Sequence, residues 1–539
     1  MSSQGNRVRG VPVEVPCAAL LVVGPFWTWL HLERYSIYRT EALVMSALLI
    51  AVGMAYGWLT HRLARWPVLP VIMTAVLLMI SLDLLTSRPG WRAVIFCILL
   101  AGTWAFRDHI TRIILAMGVA YLASTLLVGA RPAEPVWKSP RPPAARDVPP
   151  IVHLIADEHG GIEGLPTEIA LLREERNALT RFYTDRGFRL FTRAYSRYHM
   201  TMDAIPNEFN FTESATKYGW VDDRDPNATP ALRENRYFER LGAMGYETHI
   251  YQPPFLDYCT TTHAPSRSCH TESSVRRLHV LNLSWMASTW YLGTIWLTQH
   301  SSLLLDAHDS YDRLRGGLAT RGVSLREWHW PNMRLGQAGA VSLARHMASD
   351  IATTPQLRGA AYVGHLLLPH LPYLMNERCE GRDHITDGMV PDVLGEERLT
   401  AEQRRERYVL YATQLECFTH LVDTIAANLA ARSGSDAIMI VQGDHGSRIG
   451  RAPSVHEPLS RESFTDFYSA LFAIRAPGIT PGVDTTTVAL NELLNRYSQS
   501  GFRDVTMTGD ASPFVYVGEA DTPTPHLVRA TVPVASPQR

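Results

Sequence analysis

Residues 437–448 read Ala-Ile-Met-Ile-Val-Gln-Gly-Asp-His-Gly-Ser-Arg: an apolar run, Ala437–Val441, passing directly into Gln442, Gly443, Asp444, His445, Gly446, Ser447 and Arg448. A short run that is apolar at every position suits a strand buried on both faces, as in parallel sheets covered by helices on each side. The same grammar recurs upstream. Ile151–Ala156 leads into Asp157, Glu158, His159, Gly160 and Gly161. Arg189–Tyr195 leads into Ser196, Arg197, Tyr198, His199, Met200 and Thr201. Ala361–Leu368 leads into Pro369, His370, Leu371, Pro372 and Tyr373. In an open α/β sheet, polar groups just past the carboxyl ends of the strands converge on the ligand site. Acids, histidines and a threonine therefore meet at one place if these four runs share a sheet.

Working outward, helical stretches over Glu168–Asp185, Ala231–Leu241, Leu335–Thr353, Ala401–Ala431 and Thr487–Tyr497 alternate with further strands at Glu247–Tyr251 and Ser469–Ile474. The alternation predicts an α/β domain with a mainly parallel central sheet over 151–500, followed by a C-terminal extension, 501–539. Upstream, residues 129–150 read GARPAEPVWKSPRPPAARDVPP. Proline at that density cannot continue a helix or enter a sheet interior, so this segment is an extended linker.

Before the linker, apolar runs recur at Val15–Leu30, Ala42–Leu59, Pro67–Leu82, Ala93–Phe106 and Ile113–Val128, separated by charged clusters. They are apolar all round, unlike amphipathic helices of a soluble bundle, and predict a transmembrane helical domain of about five spans over 1–128. Five crossings with Arg7 and Arg9 inside place the rest of the chain outside the cytoplasm. Arginines occur in loops of both sides, so charge alone gives only a weak orientation signal. A later stretch, Val280–Leu305, carries Trp285, Trp290 and Trp296. It reads either as a membrane-facing flap or as a pair of core-packing helices.

Composition excludes little except nucleic acid. The 539 residues hold 51 Lys plus Arg against 52 Asp plus Glu, and the pI is about 7.1, so no basic field is present to attract phosphate backbones. Of six cysteines, Cys17 and Cys97 lie in apolar runs. Cys259 and Cys269 flank a short loop suited to a disulfide, and Cys379 with Cys417 offers a second; free buried thiols are the alternative.

The motifs LIADE, SRYHMTMDAIPN, HLLLPHLPY and MIVQGDHG, in that order, resemble the alkaline phosphatase–sulfatase superfamily. Within it they look most like membrane-anchored lipoteichoic acid synthases and phosphoethanolamine transferases, over about Pro150 to Tyr497. The resemblance implies a sulfatase-like α/β domain and a divalent cation of zinc or manganese type held by Asp157, Thr201, Asp444 and His445, and it leaves a second cation open. Three oxygen donors and one imidazole suit such an ion, which would lower the pKa of the Thr201 hydroxyl and make it the nucleophile. Taken singly, these residues also read as caps and turns. Glu158 is either a further ligand or a neighbour. The resemblance places His370 and His456 beside the phosphate oxygens; Arg448 either contacts an anionic substrate or is a solvated turn residue. His365 either lines the site or belongs to the core.

Formylglycine-type sulfate hydrolysis needs a Cys or Ser in a C/S-x-P-x-R setting, and no such cysteine stands near Thr201. The look-alike Thr262–Arg267 has His263 where that nucleophile belongs. The resemblance therefore implies a phosphotransferase at a bacterial-type plasma membrane, with its catalytic domain extracytoplasmic. The donor is a phospholipid headgroup, phosphoethanolamine or phosphoglycerol, passed to a glycan or lipid acceptor through phospho-Thr201. A phosphodiesterase or phosphatase with the same residues, and a non-catalytic membrane scaffold, are the alternatives.

Overall fold

The computed structural model describes residues 14–63, 68–81, 89–106, 147–216, 218–222, 229–259, 268–272, 275–300, 336–382, 400–450, 452–518 and 527–533, with shorter pieces between 109 and 138 and between 310 and 318. The chain forms two compact units. One comprises Met1–Pro132 with Leu283–Arg334, the other Ala133–Asn282 with Leu335–Arg539.

The first unit is helical, with helices Glu14–Leu32, Thr40–Arg62, Val68–Ser81, Pro89–Ala105 and Trp285–His300. Two segments, Val15–Leu32 and Thr40–Arg62, are long and apolar enough to cross a membrane; Val68–Met79 and Val94–Ala105 are shorter. The fifth expected run, Ile113–Val128, lies largely outside the described residues. The first two helices approach closely at Gly53, where a Cβ would stand 2.5 Å from Ala19 Cα. Small residues permit such backbone contact between helices. The tryptophan-bearing stretch resolves into a short 3-10 turn, Val275–Leu281, and the helix Trp285–His300. Trp296 meets Phe26 edge-on at 5.4 Å, while Trp285 and Trp290 are exposed. This helix therefore joins the N-terminal helices rather than the α/β unit's core.

The second unit is mixed α/β. Its strands in chain order are β1 Trp137–Lys138, β2 Ile151–Ala156, β3 Arg189–Phe191, β4 Ala194–Tyr195, β5 Val221–Asp222, β6 Ala231–Leu232, β7 Glu247–Gln252, β8 Ser268–Thr271, β9 Ala360–Leu366, β10 Ile438–Gly443, β11 Phe472–Arg475, β12 Gly482–Asp484, β13 Val488–Ala489, β14 Phe514–Val517 and β15 Val528–Thr531. Among the described residues, nine of them form one sheet in the order β1-β8-β7-β9-β2-β10-β11-β3-β12. From β8 to β10 every neighbouring pair is parallel; β1–β8, β10–β11 and β11–β3 are antiparallel, and β3–β12 is parallel. Strands β2, β9 and β10 are buried at every position, as continuous apolar runs require.

Three local expectations change. Arg189–Tyr195 is two strands, because Thr192 and Arg193 form a turn in which Arg193 pairs with Glu163. The helix expected from Ala231 begins at Arg236, where the Asn235 side chain caps it by accepting from the Phe238 N–H at 2.9 Å; Ala231 and Leu232 instead pair with β5. The helix expected from Thr487 begins at Leu490, after β13 has paired with β4. Both cysteine pairs, Cys259–Cys269 and Cys379–Cys417, are disulfides. In the C-terminal extension, β14 and β15 form a hairpin on which Arg197 rests, its guanidinium 3.9 Å from the Phe514 ring centroid.

Candidate active site

Strands β2 and β10 are adjacent and parallel, with Ala156 opposite Gly443. The residues that follow, Asp157 and Asp444, therefore leave the sheet side by side. Gly443 has to be glycine, since a Cβ there would lie 2.1 Å from the His159 carbonyl oxygen. On the other flank, the Asp157 N–H donates to Leu366 O at 3.0 Å, tying the turn to the end of β9. Thr201 is the first residue of the helix Thr201–Asn210. The positive end of that helix dipole thus faces the two acids, a setting that favours negative charge.

The four residues converge. Thr201 Oγ1 lies 3.4 Å from each carboxylate oxygen of Asp157 and 3.2 Å from His445 Nε2. His445 Nε2 lies 3.1 Å from Asp444 Oδ2 and 3.8 Å from Asp157 Oδ1. All four are buried, with Thr201 the most exposed at 5%. His445 Nδ1 is 3.0 Å from Gly446 O, which fixes the proton on that nitrogen and leaves the Nε2 lone pair facing the acids. Asp444 Oδ1 accepts from the Glu158 and His445 N–H groups, but Oδ2 is buried and accepts no hydrogen bond. Two lone-pair-bearing atoms 3.1 Å apart, both out of water, repel unless a proton or a metal cation stands between them. The chemistry of Asp157, Asp444 and His445, with the Thr201 hydroxyl beside them, fits a divalent metal, which these residues would hold.

The electrostatics agree. Burial pushes the Asp444 carboxyl above its ordinary range, and the Asp157 charge adds to that. Burial acts on Asp157 too, but His370, His365 and His445 outweigh it and hold that carboxyl below its ordinary range. His365 lines the site, through Nε2 3.2 Å from Asp157 Oδ2, and its Nδ1 meets Tyr258 OH at 2.9 Å. The strand-end position alone leaves its role open, and the contact with Asp157 decides it.

Glu158 turns away from this group. Its backbone is left-handed, φ 64°, and its carboxylate accepts from Arg448 Nε at 2.9 Å and from the Leu371 N–H at 3.0 Å. Arg448 Nη2 also bonds Glu158 and lies 3.4 Å from His370 Nε2. Burial lowers the His370 pKa, but Glu158 and Asp157 overcome it and raise the ring above its ordinary value. Arg448 is therefore not a solvated turn residue: with His370 it places positive charge beside Asp157. His456 is exposed on the loop that precedes the helix Arg461–Phe467 and stands outside the converging group.

Two buried residues escaped sequence reading. Glu208, on the Thr201 helix, accepts from Gln442 Nε2 at 2.7 Å, and burial with the Asp444 charge pushes its carboxyl well above the ordinary range. Gln442, at the end of β10, is the polar interruption in an apolar run that signals such a partner.

No family model and no curated protein matches the chain. Solved structures do align with it, among them sulfatases and the C-terminal periplasmic domain of EcEptC. The EcEptC domain from Escherichia coli, solved in complex with Zn, is 13% identical over 72% of this chain and 96% of its own, with a TM-score of 0.37. A putative sulfatase, YidJ, from Bacteroides fragilis is 14% identical over 71% and 83%, with a TM-score of 0.38. A putative sulfatase from Bacteroides thetaiotaomicron is 10% identical over 68% and 78%, with a TM-score of 0.40.

Proposed function

We propose that the chain is a membrane-anchored, metal-dependent phosphotransferase that moves a phospholipid headgroup, of phosphoethanolamine or phosphoglycerol type, onto an extracytoplasmic glycan or lipid acceptor through phospho-Thr201. The observation that carries this reading is the Thr201 hydroxyl, within 3.4 Å of both Asp157 oxygens and 3.2 Å of His445 Nε2, at the start of a helix. Asp157, Asp444, His445 and Thr201 would hold a zinc- or manganese-type cation, which would supply Lewis acidity to lower the pKa of the Thr201 hydroxyl.

The chain's own residues do the rest. Asp157, held ionised, orients the hydroxyl. The Thr201 oxygen forms a bond to phosphorus as the bond from phosphorus to the lipid alcohol breaks. Arg448 and His370 offer positive charge to the phosphoryl oxygens as negative charge builds up there. In the second step an acceptor hydroxyl displaces Thr201, and over both steps the acceptor loses one proton while the released lipid alcohol gains one. Two disulfides suit an oxidising compartment. The multi-span membrane domain belongs to the same reading, supported by the two long apolar helices and by Leu43, Leu48, Val52 and Trp58 exposed on the second of them.

The test is full-length protein in lipid nanodiscs containing phospholipid labelled in the headgroup phosphate. Label on the peptide containing Thr201, absent in Thr201→Ala, supports the covalent intermediate. Passage of that label to an added glycan or lipid acceptor supports transfer, whereas release of free headgroup phosphate alone assigns hydrolysis. Wild-type protein that never takes up label at Thr201 overturns the mechanism.

A further inference from the structure

A second group of ligand-type side chains lies on the same α/β unit, on other elements. His270 sits on β8, while His346 and Asp350 lie one turn apart on the helix Gly336–Thr353. Ligand atoms of the three fall within 4.8 Å of one another. Asp350 Oδ2 is 3.6 Å from His346 Nε2 and 3.8 Å from His270 Nε2. Ligands of a tetrahedral zinc ion, at bond lengths near 2.0–2.1 Å, stand about 3.3 Å apart. The two Asp350 spacings are wider by a few tenths of an ångström and the ligand nitrogens of the two imidazoles lie within 4.8 Å of each other, gaps that side-chain rotations close.

We propose that His270, His346 and Asp350 form an accessory divalent-cation site of zinc type, which fastens β8 to the helix Gly336–Thr353.

Three features beyond proximity support it. First, the donor set is two imidazoles and one carboxylate, the mixed nitrogen–oxygen set that zinc takes, and three protein ligands leave a fourth position for water. Second, the partners around the ligands orient them. The Tyr251 hydroxyl donates to Asp350 Oδ2 at 2.5 Å, and its ring stacks on His270 with 4.6 Å between centroids and 7° between planes. Glu272 Oε1 stands 3.8 Å from His346 Nδ1, on the side of the ring opposite the converging Nε2. That distance is longer than a hydrogen bond; brought within reach by a small rotation, a carboxylate behind a histidine would hold the proton on the outer nitrogen and leave the inner lone pair for the ion. Glu272 is itself anchored by Arg277, 2.7 Å away. Third, the site has an entry path: the side chains of His346 and Asp350 are 37% and 35% exposed, while His270 is buried.

The position gives such an ion a purpose. β8 leads through Val275–Leu281 to Leu283, where the chain departs for the helical unit, and the helix Gly336–Thr353 begins where it returns at Leu335. The outgoing and returning backbones run side by side, since a Cβ on Gly339 would lie 3.1 Å from Glu272 O. A cation held by His270 from one side and by His346 and Asp350 from the other ties together both ends of the Leu283–Arg334 excursion. The third group of ligand-type residues, Asp257 with Cys259 and Cys269, offers no equivalent, because its sulfurs form a disulfide.

The experiment measures zinc per chain in full-length detergent-solubilised protein, after equilibration with zinc and gel filtration. Asp444→Asn is expected to retain one equivalent, His346→Gln in that background is expected to lose it, and Asp350→Asn is expected to lose it likewise. Cobalt substitution of Asp444→Asn provides a second reading: visible d–d absorption of four-coordinate cobalt is expected, and His346→Gln is expected to abolish it. Unchanged far-UV circular dichroism separates lost ligation from lost folding, and Asp350→Asn stands in if His346→Gln fails to fold. If the Asp444→Asn equivalent survives both His346→Gln and Asp350→Asn, or if Asp444→Asn holds no zinc, the accessory site does not exist and the three residues are an ion-pair cluster. The result is independent of phosphotransfer, because it is read in a variant that lacks a ligand of the Thr201 site.

Discussion

Asp157 and Glu158 are consecutive and both buried, yet they face opposite halves of one site. Asp157 looks toward Asp444, His445 and Thr201, where acceptor atoms crowd together and Asp444 Oδ2 has no hydrogen-bond donor. Glu158 meets Arg448 and the Leu371 N–H, so the chain itself answers its charge. Neither burial nor motif separates a metal ligand from a structural acid here. What separates them is the neighbour each one meets: Glu158 meets hydrogen-bond donors, whereas Asp157 meets a second carboxylate, Asp444, whose Oδ2 is buried with no hydrogen-bond partner. One half has its donors within the chain and the other lacks one.

The largest expected effect comes from the incomplete half. Asp444→Ala should remove bound metal and lower kcat/KM at least about 10³-fold, equivalent to roughly 4 kcal/mol of transition-state stabilisation. Metal content and turnover of the purified variant check this together. Full metal content in Asp444→Ala would erase the distinction between the halves.

The complete half should respond differently. Arg448→Ala should leave metal content intact, lower kcat/KM on the order of 10²-fold, and destabilise the protein by about 2–4 kcal/mol by leaving Glu158 buried without its cation. Arg448→Lys should recover only part of the loss, because Nε and Nη2 both engage Glu158. The double variant Arg448→Ala/Glu158→Gln should be more stable than Arg448→Ala alone, since it buries no unpaired charge. Thermal melts of the three variants measure that ordering; a double variant less stable than Arg448→Ala would mean that Glu158 faces something other than the arginine.

The two halves were unequally legible in the sequence. Asp157, Asp444 and His445 could be read because β2 and β10 are buried on both faces, so their apolar runs end where the sheet ends and the next polar residue marks the site. Thr201 entered through its place in an ordered set of motifs, and the helix that begins with it became visible only in the structure. The Glu158–Arg448 pair was not readable, because it depends on a left-handed backbone at Glu158 and on a contact between distant loops. His365 remained open for a similar reason: Asp157, whose contact assigns its role, lies far away in sequence. Local punctuation failed where short polar side chains made unforeseen bonds, as at the Asn235 cap that delays a helix by several residues. The stretch around Trp285 has the same tryptophan-rich composition on a membrane flap as in a packed helix, so its place among the N-terminal helices had to come from tertiary contacts.

Between the halves, His365 sharpens the comparison by a smaller amount. It touches Asp157 and is braced by Tyr258, a position from which it would orient Asp157. Tyr258→Phe and His365→Asn should each weaken metal binding about tenfold while sparing the ligands themselves. Competition with a calibrated chelator measures this. A loss as large as that of Asp444→Ala would make His365 a ligand.

Glu175 supplies a third environment for an acid: buried, with the charge of another acid acting on it. It lies on the helix Ala170–Asp185, and burial, then the charge of Glu416 on the helix Ala401–Ser433, pushes its pKa up to about 7. Both influences favour the protonated carboxyl. A carboxyl whose folded pKa exceeds its unfolded value of about 4.3 contributes stability that is complete below that value and is lost as pH rises through about 7. Glu175→Gln, which cannot ionise, should therefore match wild type near pH 4.5 and melt about 2–4 °C higher at pH 8. Glu416→Gln should move the same way by less, because it removes the repulsion and leaves the burial. A Glu175→Gln variant no more stable than wild type at pH 8 would show that the carboxylate at position 175 finds a countercharge after all, and the contrast between Asp157 and Glu158 would then lose its simplest control.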